Sequence, residues 1–190
     1  MAWRRALAQD VVIGGTICGS GDLGAQLILS EASKKEVESS VDVRRFVAMG
    51  TYGATAAVPY HLWYVFLARR FPTATYLKTA LECLVVLPLF EIPAVVLWTG
   101  FFGRNQTLGA AVAQLRADFW TAWGYGLAVW GPASVAIFAR VPYRWHVTSF
   151  YSIGALWDFG ISYIAFDRSE AAHVKSDHAA ATEFAEKRIS

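Results

Sequence analysis

Hydrophobic positions fall into five long runs, separated by breaks that are polar or marked by proline. The runs cover Ala8 to Leu29, Phe46 to Ala68, Leu77 to Phe102, Phe119 to Ala139 and Trp145 to Phe166. Each is close to the roughly 20 residues that carry an α-helix across a bilayer. The breaks differ in kind. Ser30 to Ser40 is charged, with Lys34 and Lys35 among Glu31, Glu36 and Glu38. Arg69-Arg70-Phe71-Pro72 stops the second run, because proline disfavours the helical conformation in the residue before it. Gly103 to Gln114 reads as a more polar connection. Arg140 to Arg144 leaves room only for a tight helical hairpin or a kinked continuation. None of the runs alternates with period two, which excludes a transmembrane barrel. Helices remain, since a spanning segment must satisfy its own backbone. The expected fold is an all-α polytopic membrane helix bundle of four to five hydrophobic helices over residues 1–166. A polar tail, 167–190, follows it and lacks glycine and proline; it is expected as a solvent or docking helix.

Composition sharpens this picture. The chain is 55% hydrophobic and 17% charged, against about 25% charged in soluble domains. Many of its eight Trp, eight Tyr and twelve Phe residues lie at the ends of runs, as interfacial rings do. A net charge of +2 with scattered basic residues gives no footprint for nucleic acid. Arg4, Arg5, Arg69, Arg70 and Lys78 on one side balance Lys34, Lys35, Arg44 and Arg45 on the other, so loop charge fixes no orientation. Cys18 and Cys83 lie inside apolar runs and form neither a disulfide framework nor a metal spacing. No cleavable secretory signal follows Trp3-Arg4-Arg5, so targeting is expected to be internal.

Three runs carry a stripe of small residues with a polar group in it. On a helix, residues spaced i, i+4, i+7 and i+11 share a face, and Gly15, Gly19, Asp22 and Gln26 have that spacing. So do Gly50, Ala54, Ala57 and His61, while Tyr151, Gly154, Asp158 and Ser162 lie together on the fifth run. Small residues admit close backbone approach, and polar groups bond across the contact. Two readings follow. Asp22, His61 and Asp158 line a hydrophilic path, as ionisable residues in membranes do in channels, or they are interhelical glue. The third run holds Glu82, Pro88, Glu91 and Pro93. Two central carboxylates cost about 5–7 kcal/mol on the insertion scale. Nine residues apart, they lie on opposite faces of a straight helix unless Pro88 bends it. At least one is therefore expected to meet an arginine or another protein, and Glu91 is the docking candidate.

Catalytic patterns are absent. Gly19-Ser20-Gly21-Asp22-Leu23-Gly24 satisfies G-x-G-x-x-G, but that fingerprint needs a strand before it and a βαβ unit around it. No nucleophile, base and orienting group occur together. His61, His146, His173 and His178 are dispersed. Neither enzyme activity, nor a metal, nor a cofactor is expected. Asn105-Gln106-Thr107 is a glycosylation sequon by chance.

One ordered set of residues resembles a family. Trp3 and Leu7 are followed by Gly21-Asp22 and Gln26, then Asp42 and Arg45 before a helix containing Gly50. Pro59-Tyr60-His61-Leu62-Trp63-Tyr64 comes next, then Leu81-Glu82 and Pro88. Asp118-Phe119-Trp120 leads to Trp130-Gly131-Pro132, Phe138, Val141-Pro142 and Trp157. From Trp3 to Phe166 the chain resembles the family of Mpv-seventeen and the twenty-two-kDa peroxisomal membrane protein, small organelle membrane proteins described with four transmembrane helices. Some members are proposed to be pores. The departures affect polar positions: Val58 replaces a glycine, Cys83 and Ser134 replace glutamines, Ile137 replaces an asparagine, and the arginine after Val-Pro is displaced to Arg144, near His146. Packing and aromatic positions stay. The resemblance implies a non-catalytic protein of the mitochondrial inner membrane, with the peroxisomal membrane as the alternative. Two roles follow: an accessory subunit of a large respiratory-type assembly, or a channel or solute-permeability factor. The expected partners are membrane lipids and other membrane subunits or copies of itself.

Overall fold

The computed structural model describes residues 2–32 and 41–156. All regular structure among them is helical. The first helix is Ala2–Ala32 and the second Val43–Arg70. The third is a continuous rod, Thr75–Gly103. The fourth is Leu108–Arg140. A short 3-10 turn, Tyr143–Trp145, leads into a fifth helix over 146–156. Three of these, the first, third and fourth, are long and apolar enough to cross a membrane. The second fails on composition: residues 46–68 carry no Asp, Glu, Lys or Arg, but Thr51, Tyr52, Tyr60, His61 and Tyr64, with its glycines and Pro59, lower their hydropathy. The run over 157–166, with Asp158 and Ser162, and the tail 167–190 lie outside the described residues.

The helix boundaries follow from local chemistry. Asp42 caps the second helix, its Oδ1 accepting from the Arg45 N–H at 3.0 Å, which satisfies one of the free donors of a first turn. The helix ends at Arg70, before Phe71-Pro72, where the sequence places the stop. The connection expected over Gly103 to Gln114 is much shorter. Thr107 accepts from the Ala110 N–H at 3.3 Å and starts the fourth helix there, because alanines and leucines beyond it favour helix. The sequon residues therefore have structural roles. Asn105 takes the left-handed conformation at φ 55°, which asparagine tolerates better than most residues, and its Oδ1 accepts from Arg44 at 3.0 Å.

The third rod departs most from expectation. Glu82–Glu91 and Thr99–Gly103 are π-helical, separated by the α-helical Ile92–Trp98. Pro88 and Pro93 supply no N–H and would clash with a carbonyl one α-turn back; the rod widens around Pro88, and Pro93 falls in the first turn of the α-helical stretch that follows. Widening alters which residues share a face. An α-helix turns about 100° per residue, but a π-helix takes roughly 4.4 residues per turn. Nine residues then make about two full turns, so Glu82 and Glu91 face the same neighbour. No bend at Pro88 is required.

Consecutive helices pack antiparallel. Trp98 Nε1 donates to the Ala48 carbonyl at 2.9 Å and ties the far end of the rod to the start of the second helix. Leu87 packs where a side chain at Gly126 would sit, and Ala111 lies against Gly100. The Arg140–Arg144 break is a hairpin: Phe138 and Trp130 of the fourth helix meet Phe150 of the fifth at ring centroid distances of 5.5 and 6.0 Å. The core gathers where the second helix meets the fifth, around Tyr60, Tyr64, Leu67, Phe138, Phe150 and Tyr151. Tyr64 stacks on Phe150 at 4.9 Å and 11°.

Candidate functional site

The first and second helices meet along a seam of glycines. Gly14 and Gly53 are so close that a Cβ on Gly53 would overlap the Gly14 carbonyl oxygen and reach within 2.7 Å of Cys18 Sγ. A Cβ on Gly15 would come within 3.1 Å of the Gly50 carbonyl, and one on Gly19 within 3.2 Å of the Phe46 ring. The face read from Gly15, Gly19, Asp22 and Gln26 therefore does turn to the second helix. The tightest contact is one position to its side, at Gly14 and Gly53. Tyr151 of the fifth helix closes this junction by donating to the Gly53 carbonyl at 2.9 Å.

A polar clamp holds each end of the seam. At one end Arg45 Nε donates to Asp22 Oδ1 at 2.6 Å. Gln26 donates to Asp22 Oδ2 at 2.7 Å, and its Oε1 accepts from the Asp42 backbone N–H at 2.7 Å. At the other end His61 Nδ1 meets Asp10 Oδ2 at 2.6 Å, with both residues buried. Asp10 and Asp22 are twelve residues apart on one helix, about 18 Å at 1.5 Å per residue. Asp22 and His61 thus sit at opposite ends of the seam, each already paired, and do not converge. Asp158 lies outside the described residues. Asp10 was legible only through register. An antiparallel partner that sets Gln26 beside Asp42 places position 10 beside position 58, within one helical turn of His61.

Further along the second helix, past the glycine seam, Tyr60, Trp63 and Tyr64 receive the two glutamates. Trp63 Nε1 donates to Glu82 Oε2 at 2.8 Å and Tyr64 OH donates to Oε1 at 3.1 Å. Tyr60 OH donates to Glu91 Oε2 at 2.9 Å. Tyr60 and Tyr64, one turn apart, stack at 5.9 Å and 15°. Among the described residues, neither glutamate meets an arginine. Glu91, without a partner in its own helix and so the docking candidate, has one in the second helix. A buried carboxylate is tolerated when its lone pairs are hydrogen-bonded, and aromatic N–H and O–H donors supply this while also filling the core.

Near the fourth-to-fifth turn, Lys78 is buried with its ammonium 5.2 Å from the Phe138 ring centre. His146 Nε2 donates to the Val141 carbonyl at 2.9 Å, and the ring packs edge-on against Tyr64 and Phe138. Among the described residues, no three His, Cys, Asp or Glu side chains gather at one point. Residues 19–24, the G-x-G-x-x-G match, lie within the first helix.

Together these features define a class: an all-helical protein with three helices long and apolar enough to cross a membrane, whose polar side chains join helix to helix. No protein-family model matches the chain, and no solved structure matches it. Several residues that carry the resemblance noted in the sequence touch one another here: Asp22 with Arg45, Gln26 with Asp42, and Trp63 with Glu82.

Proposed function

We propose that the chain is a non-catalytic integral membrane protein of the mitochondrial inner membrane, and that it serves as an accessory, structural subunit of a large respiratory-type assembly. One observation carries the non-channel reading: Asp10, Asp22, His61, Glu82 and Glu91 are all engaged in contacts between helices. Side chains spent in this way leave little to line a wet path. A bundle of four to five spans is part of the proposal. The second helix has 28 residues, about 42 Å at 1.5 Å per residue, and its buried Tyr60, His61 and Tyr64 bond to other helices. The resemblance to small organelle membrane proteins supports the location. Exposed apolar side chains on the third and fourth helices, among them Leu84, Leu89, Phe101, Leu108 and Trp120, offer area to lipid and to neighbouring subunits.

Mild-detergent extraction, native gel electrophoresis and mass spectrometry of the co-migrating proteins test this. Migration with a megadalton respiratory assembly is the expected result. Migration alone or as a small homo-oligomer, with solute flux from the purified protein in liposomes, contradicts it and establishes the channel reading.

A further inference from the structure

The antiparallel order places the start of the first helix, the second-to-third turn and the fourth-to-fifth turn at one end of the molecule. Arg4, Arg5, Arg69, Arg70, Arg140 and Arg144 all lie there and are exposed. Among the described residues, the two acids near that end, Asp10 and Glu82, are turned inward to His61 and to Trp63 and Tyr64. Counting loops by sequence alone hid this asymmetry, because Arg140 and Arg144 join the Arg69 side only once the hairpin is known. At this end a crevice of about 560 Å³ opens between the first, second and fifth helices. Arg69 and Arg144 both line it, as do Trp3 and Tyr143. Leu62, Val65 and Ala68 form its wall along the second helix. Among the described residues, neither arginine has a carboxylate within ion-pair distance. The single acid of the crevice, Asp10, is engaged by His61 at 2.6 Å.

We infer that this crevice is a binding site for one anionic phospholipid. The phosphate sits between the Arg69 and Arg144 guanidiniums, whose planar donors suit phosphate oxygens. An acyl chain descends along Leu62, Val65 and Ala68. Trp3 and Tyr143, half or more exposed, hold the headgroup level as interfacial rings do. A basic pocket between helices, open to an apolar wall below, is the arrangement that favours a lipid over a free anion. The inference rests on the chain being embedded in a bilayer, not on its being a subunit of an assembly.

Native mass spectrometry of the purified full chain, titrated with phosphatidylglycerol, phosphatidylcholine or glycerol phosphate, tests it. Phosphatidylglycerol is expected to be retained at least 10-fold better than phosphatidylcholine. Arg69→Gln with Arg144→Gln is expected to abolish that preference, and Arg116→Gln, an exposed arginine elsewhere, to leave it intact. Ala68→Trp, which fills the crevice without altering charge, is expected to reduce retention of phosphatidylglycerol by a similar factor. Equal retention of the two lipids, or a preference that survives the paired arginine variant, overturns the site. Glycerol phosphate displacing the lipid at comparable concentration overturns the lipid assignment in favour of a soluble anion.

Discussion

Two successive stretches of the second helix solve the same problem in opposite ways. Towards the first helix it presents Gly50, Gly53, Ala54 and Ala57, and backbone meets backbone. Charged pairs act only at the ends of that contact. Towards the third and fifth helices it presents Tyr60, Trp63 and Tyr64, and rings hold the helices apart while bonding two carboxylates. Where lipid replaces water, no hydrophobic force drives helices together, and close packing or interhelical hydrogen bonds must do so. The glycine stretch relies on the first and the aromatic stretch on the second. The glycine seam has no slack for added volume. The aromatic stretch has no slack for a lost donor.

That contrast is broken most sharply at Gly53. Gly53→Leu forces a side chain against the Gly14 carbonyl and Cys18. Overpacking costs typically 1–3 kcal/mol and more when backbone must yield, so at least about 3 kcal/mol of stability is expected to be lost in reversible unfolding in detergent. A loss under 1 kcal/mol would show that the helices do not touch there. On the aromatic stretch, Trp63→Phe keeps the bulk but removes a donor to Glu82. Hydrogen bonds to charged or buried acceptors are worth about 1.5–3 kcal/mol, and a drop of about 2 kcal/mol is expected. Glu82→Leu in the same chain is expected to restore part of it, since an apolar residue asks for no partner. At the end of the seam, Arg45→Gln strands Asp22 only partly, because the arginine is 40% exposed and Gln26 remains. About 1 kcal/mol is expected, below the range for a fully buried pair. The smallest effect has the opposite sign. Gly124 faces open space in the fourth helix, and Gly124→Ala is expected to stabilise by roughly 0.5–1 kcal/mol through helix propensity. Thermal or denaturant unfolding of both glycine variants side by side separates packing from propensity.

Much of the helix plan is readable from hydrophobic runs and proline stops. The Arg70 stop and the small-residue stripe at Gly15, Gly19 and Asp22 both reappear in the fold. What escaped depended on contacts between distant segments. Glu82 and Glu91 could be placed only by knowing that the rod widens to π geometry, and periodicity assumes the α repeat. Glu91 was without a partner only within its own helix; Tyr60 lies 31 residues earlier. Asp10 pairs with His61 across 51 residues, and nothing local marks it. A stripe also says which residues share a face, not which faces meet. The sequence therefore left open whether Asp22 and His61 converge, and register sets them at opposite ends.

Double-mutant cycles on stability in detergent test the central claim, that these groups join helices in separate pairs. Asp22 with Arg45 and Asp10 with His61 are expected to couple by about 1 kcal/mol or more, whereas Asp22 with His61 should be additive within about 0.5 kcal/mol. Strong coupling between Asp22 and His61, with none inside the two pairs, would contradict the account and put these side chains on a shared path.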